Sequence, residues 1–275
     1  MILARLRRPR STPSDGVGKP RGKRADTLAF FCPDTHYPLH DEAAVRCAQR
    51  AVELTKPDIF IHLGDVGEWN SISHWRYKRQ KRPPLEYQLE ALKPEAEAIN
   101  AGLDSWDRVL DKIKCEKRIM VEGNHEVWLD HFVDAHPYVP QYAPKKLLRL
   151  KERGWKYNPY GEYNRAAGSH LYYYHGGHWS GQFHAKQHAE KLGASIIYGH
   201  YHDYQVHRLQ HLGGAHGAWS IGCLRTLNAE WLKGAPNRWS HNFALAHIAP
   251  NGDFYIEVVD IVNGKCWTWG KELAA

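Results

Sequence analysis

The chain has no long apolar run: its longest stretches are five or six residues, such as Leu28 to Cys32, far short of the roughly 18–20 that span a bilayer. A helical membrane protein is excluded on that ground, and the expectation is a cytoplasmic protein with no membrane partner. Cysteine is sparse as well. The five present (Cys32, Cys47, Cys115, Cys223, Cys266) are odd in number, scattered and never in a C-x-x-C spacing. That argues against a disulfide framework or a zinc ribbon and for a reducing compartment. Internal repeats and low-complexity tracts are absent. What the sequence does hold is packing material: 43% apolar residues, with Trp 11, Tyr 15 and Phe 7, exclude a disordered or fibrous chain. Its 275 residues suffice for one large domain with appendages.

The net charge of +7 suggests a nucleic-acid binder until it is located. Residues 1–24 carry eight basic groups against the single acid Asp15; removing them from the totals of 37 and 30 leaves 29 of each sign. The expected catalytic domain, residues 25–275, is therefore formally neutral, and the basicity belongs to an N-terminal arm without hydrophobic periodicity. The arm lacks the apolar core of a signal peptide, and Pro9, Pro13, Gly16, Gly18 and Pro20 break the amphipathic helix of a transit peptide. It reads as a solvated, disordered tail or as an arm gripping a polyanion such as nucleic acid.

Thr27 to Cys32, Asp58 to Leu63 and Lys117 to Val121 read as buried strands. They are separated by helical patterns over Asp41 to Lys56 and from about residue 85 to Lys114, the second with possible breaks at Pro94 and Gly102. That alternation predicts a parallel sheet with its functional loops at the strands' C-terminal ends. From Leu171 onward the chain is β-rich, with strands expected at Leu171 to Tyr174, Ser195 to Tyr198, Tyr204 to Leu212, Phe243 to Ile248 and Phe254 to Val262. Asn251-Gly252 and Asn263-Gly264 are the strongest hairpin signals.

Metal-ligand residue types gather where these strands end. They are Asp34-Thr35-His36, Gly64-Asp65-Val66-Gly67-Glu68, Gly123-Asn124-His125-Glu126, His175-Gly176 and Gly199-His200-Tyr201-His202. With 19 His in the chain, a D-x-H spacing arises about once by accident, and a second copy exists at Asp134-Ala135-His136. That copy lies in a predicted helix and is read as incidental. The ordered set is a different matter, because strand ends bring distant residues to one sheet edge, where carboxylates, an amide and imidazoles converge as mixed oxygen and nitrogen ligands.

The order D-x-H, G-D-x-x-E, G-N-H-E, H-G, G-H-x-H resembles the calcineurin-like metallophosphoesterase superfamily over roughly residues 26–262. The resemblance implies an α/β fold of two packed mixed sheets flanked by helices, in four layers α/β/β/α. It also implies a site for two divalent metal ions, manganese foremost, with iron, zinc, nickel or cobalt as alternatives. Asp34, His36 and His202 would hold one ion, Asn124, His175 and His200 the other, and Asp65 would bridge them. His178, in the same His-Gly-Gly-His run, stays open as a substitute for His175. His125 matches a histidine beside the leaving group, and Glu68 the acid that orients it. Glu126 reads as the acidic start of a helix. Two ions roughly 3.5–4 Å apart clamp an in-line displacement and make a bridging hydroxide available at neutral pH.

Phosphoprotein phosphatases of this superfamily usually carry Asp-Arg-Gly where this chain has Glu68-Trp69-Asn70. The sequence is more similar to short members from bacterial viruses and prophages. Hydrolysis of nucleotide or nucleic-acid phosphomonoesters or phosphodiesters is the expected activity, with a Ser/Thr phosphoprotein phosphatase and a non-catalytic scaffold as alternatives. Arg76, Lys78 and Arg79, in a basic stretch at 75–84 that also holds Trp75, Tyr77, Lys81 and Arg82, are candidate substrate-binding residues; the alternative is an exposed loop.

Overall fold

The structure, a computed structural model, describes residues 26–78, 80–212, 214–229 and 232–275. The basic arm and Arg79 lie outside the described residues. The elements run β1 (Thr27–Cys32), α1 (Glu42–Thr55), β2 (Ile59–His62), α2 (Leu85–Lys112), β3 (Lys117–Val121), α3 (Asn124–Ala135), α4 (Pro144–Leu147), β4 (Trp155–Asn158) and β5 (Asn164–Arg165). They continue with β6 (Leu171–Tyr174), α5 (His184–Leu192), β7 (Ser195–Tyr198), β8 (Gln205–His211), β9 (Gly214–Ser220), β10 (Asn242–Ile248), β11 (Phe254–Asp260), β12 (Lys265–Thr268) and β13 (Lys271–Ala274).

Two mixed sheets result, ordered β11-β10-β1-β2-β3-β4 and β5-β6-β7-β9-β8, with β12 and β13 forming a separate hairpin. Their pairing follows from alternation of side chains across each strand. Leu28, Phe30 and Cys32 of β1 point into a core shared with α1, α2 and α3, whereas Ala29 and Phe31 point into the layer between the sheets. In β7, Ile197 enters that same central layer while Ile196 and Tyr198 face α5. The layers are thus helices, sheet, sheet, helix, as the sequence leads one to expect. No helix among the described residues is long and apolar enough to cross a membrane.

Several expectations need correction. Helix α2 runs unbroken through 28 residues, Pro94 included. Pro94 and residue 90, whose carbonyl loses its partner, are both exposed, so water serves that carbonyl. Gly102 does not break the helix either: a Cβ there would meet the Tyr37 ring at 2.6 Å, so glycine admits a close contact. Asn263 and Gly264 do form a two-residue turn, both at positive φ, between Val262 and Lys265. Strands β4, β5, β9, β12 and β13 are not legible in the sequence. Gly214 to Ser220, with two glycines and a histidine, shows too little β-propensity to announce β9, whose partners β7 and β8 supply the pairing.

Candidate metal centre

The C-terminal ends of β1, β2, β3, β6 and β7 open onto one edge, and hydrogen bonds knit the loops that leave them. The N–H groups of Thr35 and His36 both donate to the Asp65 carbonyl (3.2 and 3.0 Å), and that of Tyr37 donates to Val66 (2.8 Å). Gly199 N–H reaches the His175 carbonyl at 2.8 Å. This geometry has a backbone cost: His36, Asp65, His200 and His202 all sit at positive φ, between 47 and 73°. Such conformations cost non-glycine residues about 1–3 kcal/mol each.

The side chains sort into two groups. In the first, Asp34, His36 and His202 are buried with donor atoms within 4.8 Å of one another. His36 Nε2 and His202 Nε2 face each other at 3.0 Å, and His202 Nε2 is 3.2 Å from Asp34 Oδ2. That Asp34 oxygen also accepts the His200 N–H at 2.9 Å, whereas Oδ1 is buried without any partner. A Cβ on Gly199 would lie 2.2 Å from Oδ1, so glycine is what leaves room for this carboxylate.

In the second group, Asp65, His175 and His200 converge likewise. His175 Nδ1 donates to the Leu63 carbonyl at 2.8 Å, which fixes the ring so that Nε2 lies 3.0 Å from Asn124 Oδ1 and 3.4 Å from Asp65 Oδ2. His200 Nδ1 lies 2.7 Å from the same Asn124 oxygen. Asp65 Oδ2 is also 3.7 Å from His36 Nε2, so one oxygen looks into both groups. His178 is elsewhere, bonded to the Tyr163 hydroxyl and packed on Tyr174; of the two candidates, His175 is the one in the cluster.

Electrostatics favour a cation here. Burial holds His36 near a pKa of about 4 against the opposing pull of Glu68, and burial followed by the charge of His175 takes His200 to about 3. Both rings are therefore neutral, the form that ligates. Burial alone would raise Asp65, yet His175 and His125 hold it well below the usual range, while His175 itself, which burial would lower, is carried up to about 9 by Asp65. An unpartnered buried carboxylate oxygen, paired imidazole nitrogens and an amide oxygen make a donor set suited to first-row divalent ions. The residues present fit such ions.

His125 occupies the first turn of α3. Its N–H donates to Asp65 Oδ1 (2.9 Å), Nδ1 donates to the Glu68 carbonyl (2.7 Å), and Nε2 lies 4.0 Å from Asp65 Oδ2. The main chain of Glu68, then, orients His125. Its carboxylate lies 2.9 Å from His36 Nδ1, is bonded by Arg225, and has an oxygen within 4.8 Å of ring nitrogens of both His36 and His125. Arg76 and Lys78 form an exposed one-turn 3-10 helix, with Lys78 Nζ 5.0 Å from the Trp75 ring centroid and Arg76 5.8 Å from that of Tyr77. No contact joins them to the two ligand groups among the described residues. The second D-x-H, Asp134 to His136, ends α3 and takes no part.

Two residues escaped the sequence reading. Glu126 is no mere helix start: fully buried, it accepts four N–H groups, from Asp65, Gly67, Gly123 and the Trp69 indole. Arg225 follows β9, a strand parallel to β7, and the segment after it runs past Asp34 through the bond from Leu224 N–H to the Asp34 carbonyl (2.7 Å). Recognising β9 would have directed attention to that loop.

A model of the calcineurin-like phosphoesterase family matches residues 29–275. The chain is 26% identical over 255 residues to the Gene 54 protein of Mycobacterium phage L5, covering 84% of this chain and 92% of that protein. The Gene 54 protein of Mycobacterium phage D29 is 25% identical over 257 residues with the same coverage. Among solved structures, Vacuolar Protein Sorting 29 from Cryptosporidium parvum aligns over 91% of this chain and 99% of its own at 12% identity and a TM-score of 0.46. Yfce, a phosphoesterase from E. coli, aligns over 86% and 100% at 14% identity and a TM-score of 0.37. With the family model spanning all five motif segments, the chain belongs to the calcineurin-like phosphoesterase family.

Proposed function

We propose that this protein is a metal-dependent hydrolase with a dinuclear centre, acting on phosphomonoester or phosphodiester bonds of nucleotides or nucleic acids. The observation that carries the reading is the convergence of the two donor groups on one Asp65 oxygen, beside an Asp34 oxygen that is buried and unpartnered. Ions held by Asp34, His36 and His202, and by Asn124, His175 and His200, with Asp65 between them, would supply the charge that polarises a phosphoryl group and acidifies water. Manganese, iron, zinc, nickel and cobalt all suit these ligands, with manganese our first choice.

The remaining work falls to the chain. Helix α3 presents its N-terminal end to the site, anchoring Asp65 through His125 N–H and favouring an anionic substrate there. His125 acts as the proton donor: with Nδ1 committed to the Glu68 carbonyl, Nε2 is the nitrogen facing the reacting space, and as imidazolium it protonates the departing oxygen. The interleaving of Arg76, Lys78 and Arg82 with Trp75 and Tyr77 supports a nucleotide or nucleic-acid substrate, since cations meet phosphates and ring faces meet bases. The free thiols among the described residues agree with a cytoplasmic setting.

The test is Asp65→Asn, read by metal analysis and by a substrate panel of nucleoside monophosphate, cyclic dinucleotide, single-stranded DNA and phosphopeptide, with Mn²⁺ or chelator. The parent should carry close to two ions and hydrolyse a nucleotide substrate; the variant should lose metal and turnover together. Full metal content with undiminished turnover in Asp65→Asn would remove the dinuclear reading, and preference for the phosphopeptide would move the substrate class.

A further inference from the structure

Arg225 is 4% exposed, and nothing in the sequence motifs accounts for it. Its guanidinium donates from Nε to Glu68 Oε2 (3.2 Å) and from Nη2 to Oε1 (3.3 Å), a two-pronged grip on the carboxylate. Glu68 Oε2 in turn lies 2.9 Å from Nδ1 of His36. Trp239 covers the guanidinium, its ring centroid 5.5 Å from Cζ, and meets the His202 ring at 4.6 Å. One flank of the first ligand group is thus backed by a continuous train, Arg225 to Glu68 to His36, with Trp239 bracing both Arg225 and His202.

A buried arginine carries a large desolvation cost, so its placement calls for a reason. Contact with substrate is not that reason: Nη1, the one terminal nitrogen not engaged with Glu68, is closed off from solvent and without a partner. The carboxylate supplies a better one. Glu68 also converges with His36 and His125 as a third group of potential ligands. Left to itself, its negative charge would compete for a cation and draw His36 away from Asp34 and His202.

We propose that Arg225 is a positioning residue for the metal ligand His36. Its fork holds the Glu68 carboxylate beside Nδ1, which sets the ring's orientation and leaves Nε2 aimed at the centre, and it keeps Glu68 itself out of the ligand set. The inference rests on the metal-binding reading above and adds to it a device that selects which group the ion occupies.

Mn²⁺ titrations followed by calorimetry, together with the visible absorption spectrum of the Co²⁺-loaded protein, test this on the full chain. Arg225→Met should weaken one of two Mn²⁺ equivalents by roughly 10–100-fold, the usual effect of removing an outer partner of a metal-bound histidine, and leave the other unchanged. The Co²⁺ spectrum should change with it. Arg225→Lys, which keeps the charge but not the fork, should fall between parent and Arg225→Met and serves as the deciding variant if the methionine protein does not fold. Adding Arg225→Met to Glu68→Gln should cost nothing further, because the two act as one unit. Parent-like affinity for both equivalents and an unchanged spectrum in the folded arginine variants would overturn the proposal, even while Asp65→Asn still loses metal. A parent that takes up no Mn²⁺ would overturn the underlying reading and this inference together.

Discussion

Glu126→Gln is a near-isosteric change at a fully buried side chain, and its cost can be worked from four hydrogen bonds. Oε2 accepts the N–H groups of Asp65 (2.9 Å) and Gly123 (3.0 Å); Oε1 accepts those of Gly67 (3.2 Å) and the Trp69 indole (3.1 Å). Every partner is a donor. Whichever oxygen becomes NH₂, two donors then face a third, so two bonds to a charged acceptor are lost at about 1.5–3 kcal/mol each, or about 3–6 kcal/mol together. For a domain stable by roughly 5–15 kcal/mol, that is a large fraction. Burial, and next the charge of Asp65, push the pKa of Glu126 up to about 7, while the N–H donors pull the other way. The comparison therefore belongs at pH 8, where the parent carboxylate is ionised. Urea unfolding at that pH should show the loss as a lowered midpoint with little change in slope. Metal uptake should fall as well, since two of the four bonds hold the backbone on which Asp65 rides. A variant within about 1 kcal/mol of the parent at pH 8 would show that the four contacts are not coupled to stability as argued.

Further outcomes follow from other parts of the molecule. His125→Asn should retain both metals yet slow esters with poor leaving groups by roughly 10²–10⁴-fold, nitrophenyl esters far less; equal losses on both would mean charge stabilisation instead of proton donation. Removing residues 1–24 should leave hydrolysis of a small phosphodiester intact and, if the arm grips nucleic acid, lower only DNA affinity and its salt slope. Burial and then the neighbouring Glu122 raise the Asp130 pKa to about 7, so below about pH 4 the folded protein bears no ionised penalty there, while above pH 7 it does. Asp130→Asn should accordingly raise the melting temperature at pH 8 and have no effect at pH 4; a gain of equal size at both pH values would point to packing.

The candidate metal ligands are legible in the sequence because each follows closely on the apolar end of a strand. Phe30 and Phe31 precede Asp34, Phe60 and Ile61 precede Asp65, and Ile196 and Ile197 precede His200; strand and ligand announce each other. Glu126 and Arg225 have no such marker. Their roles depend on partners distant in the chain: three of the four donors to Glu126 lie 57 to 61 positions away, and the carboxylate that Arg225 grips lies 157 away, on a loop of the other sheet. The resemblance pairs Glu68 with His125; the part no motif announces is Arg225, which the segment after β9 delivers to grip that carboxylate beside His36. The interruptions expected in α2 failed because propensity is local, while the surroundings of Pro94 and Gly102 tolerate or require those residues.

The four candidate ligands at positive φ carry one more consequence. At positions 36, 65, 200 and 202 a glycine would relieve backbone strain, so mutation at random, filtered only for folding, drifts toward losing the site. A chain kept merely as a scaffold would gain stability by surrendering those side chains. Under the metal-binding reading proposed above, the aspartate and three histidines held at these positions carry a strain that glycine would relieve, the cost of what those side chains would bind.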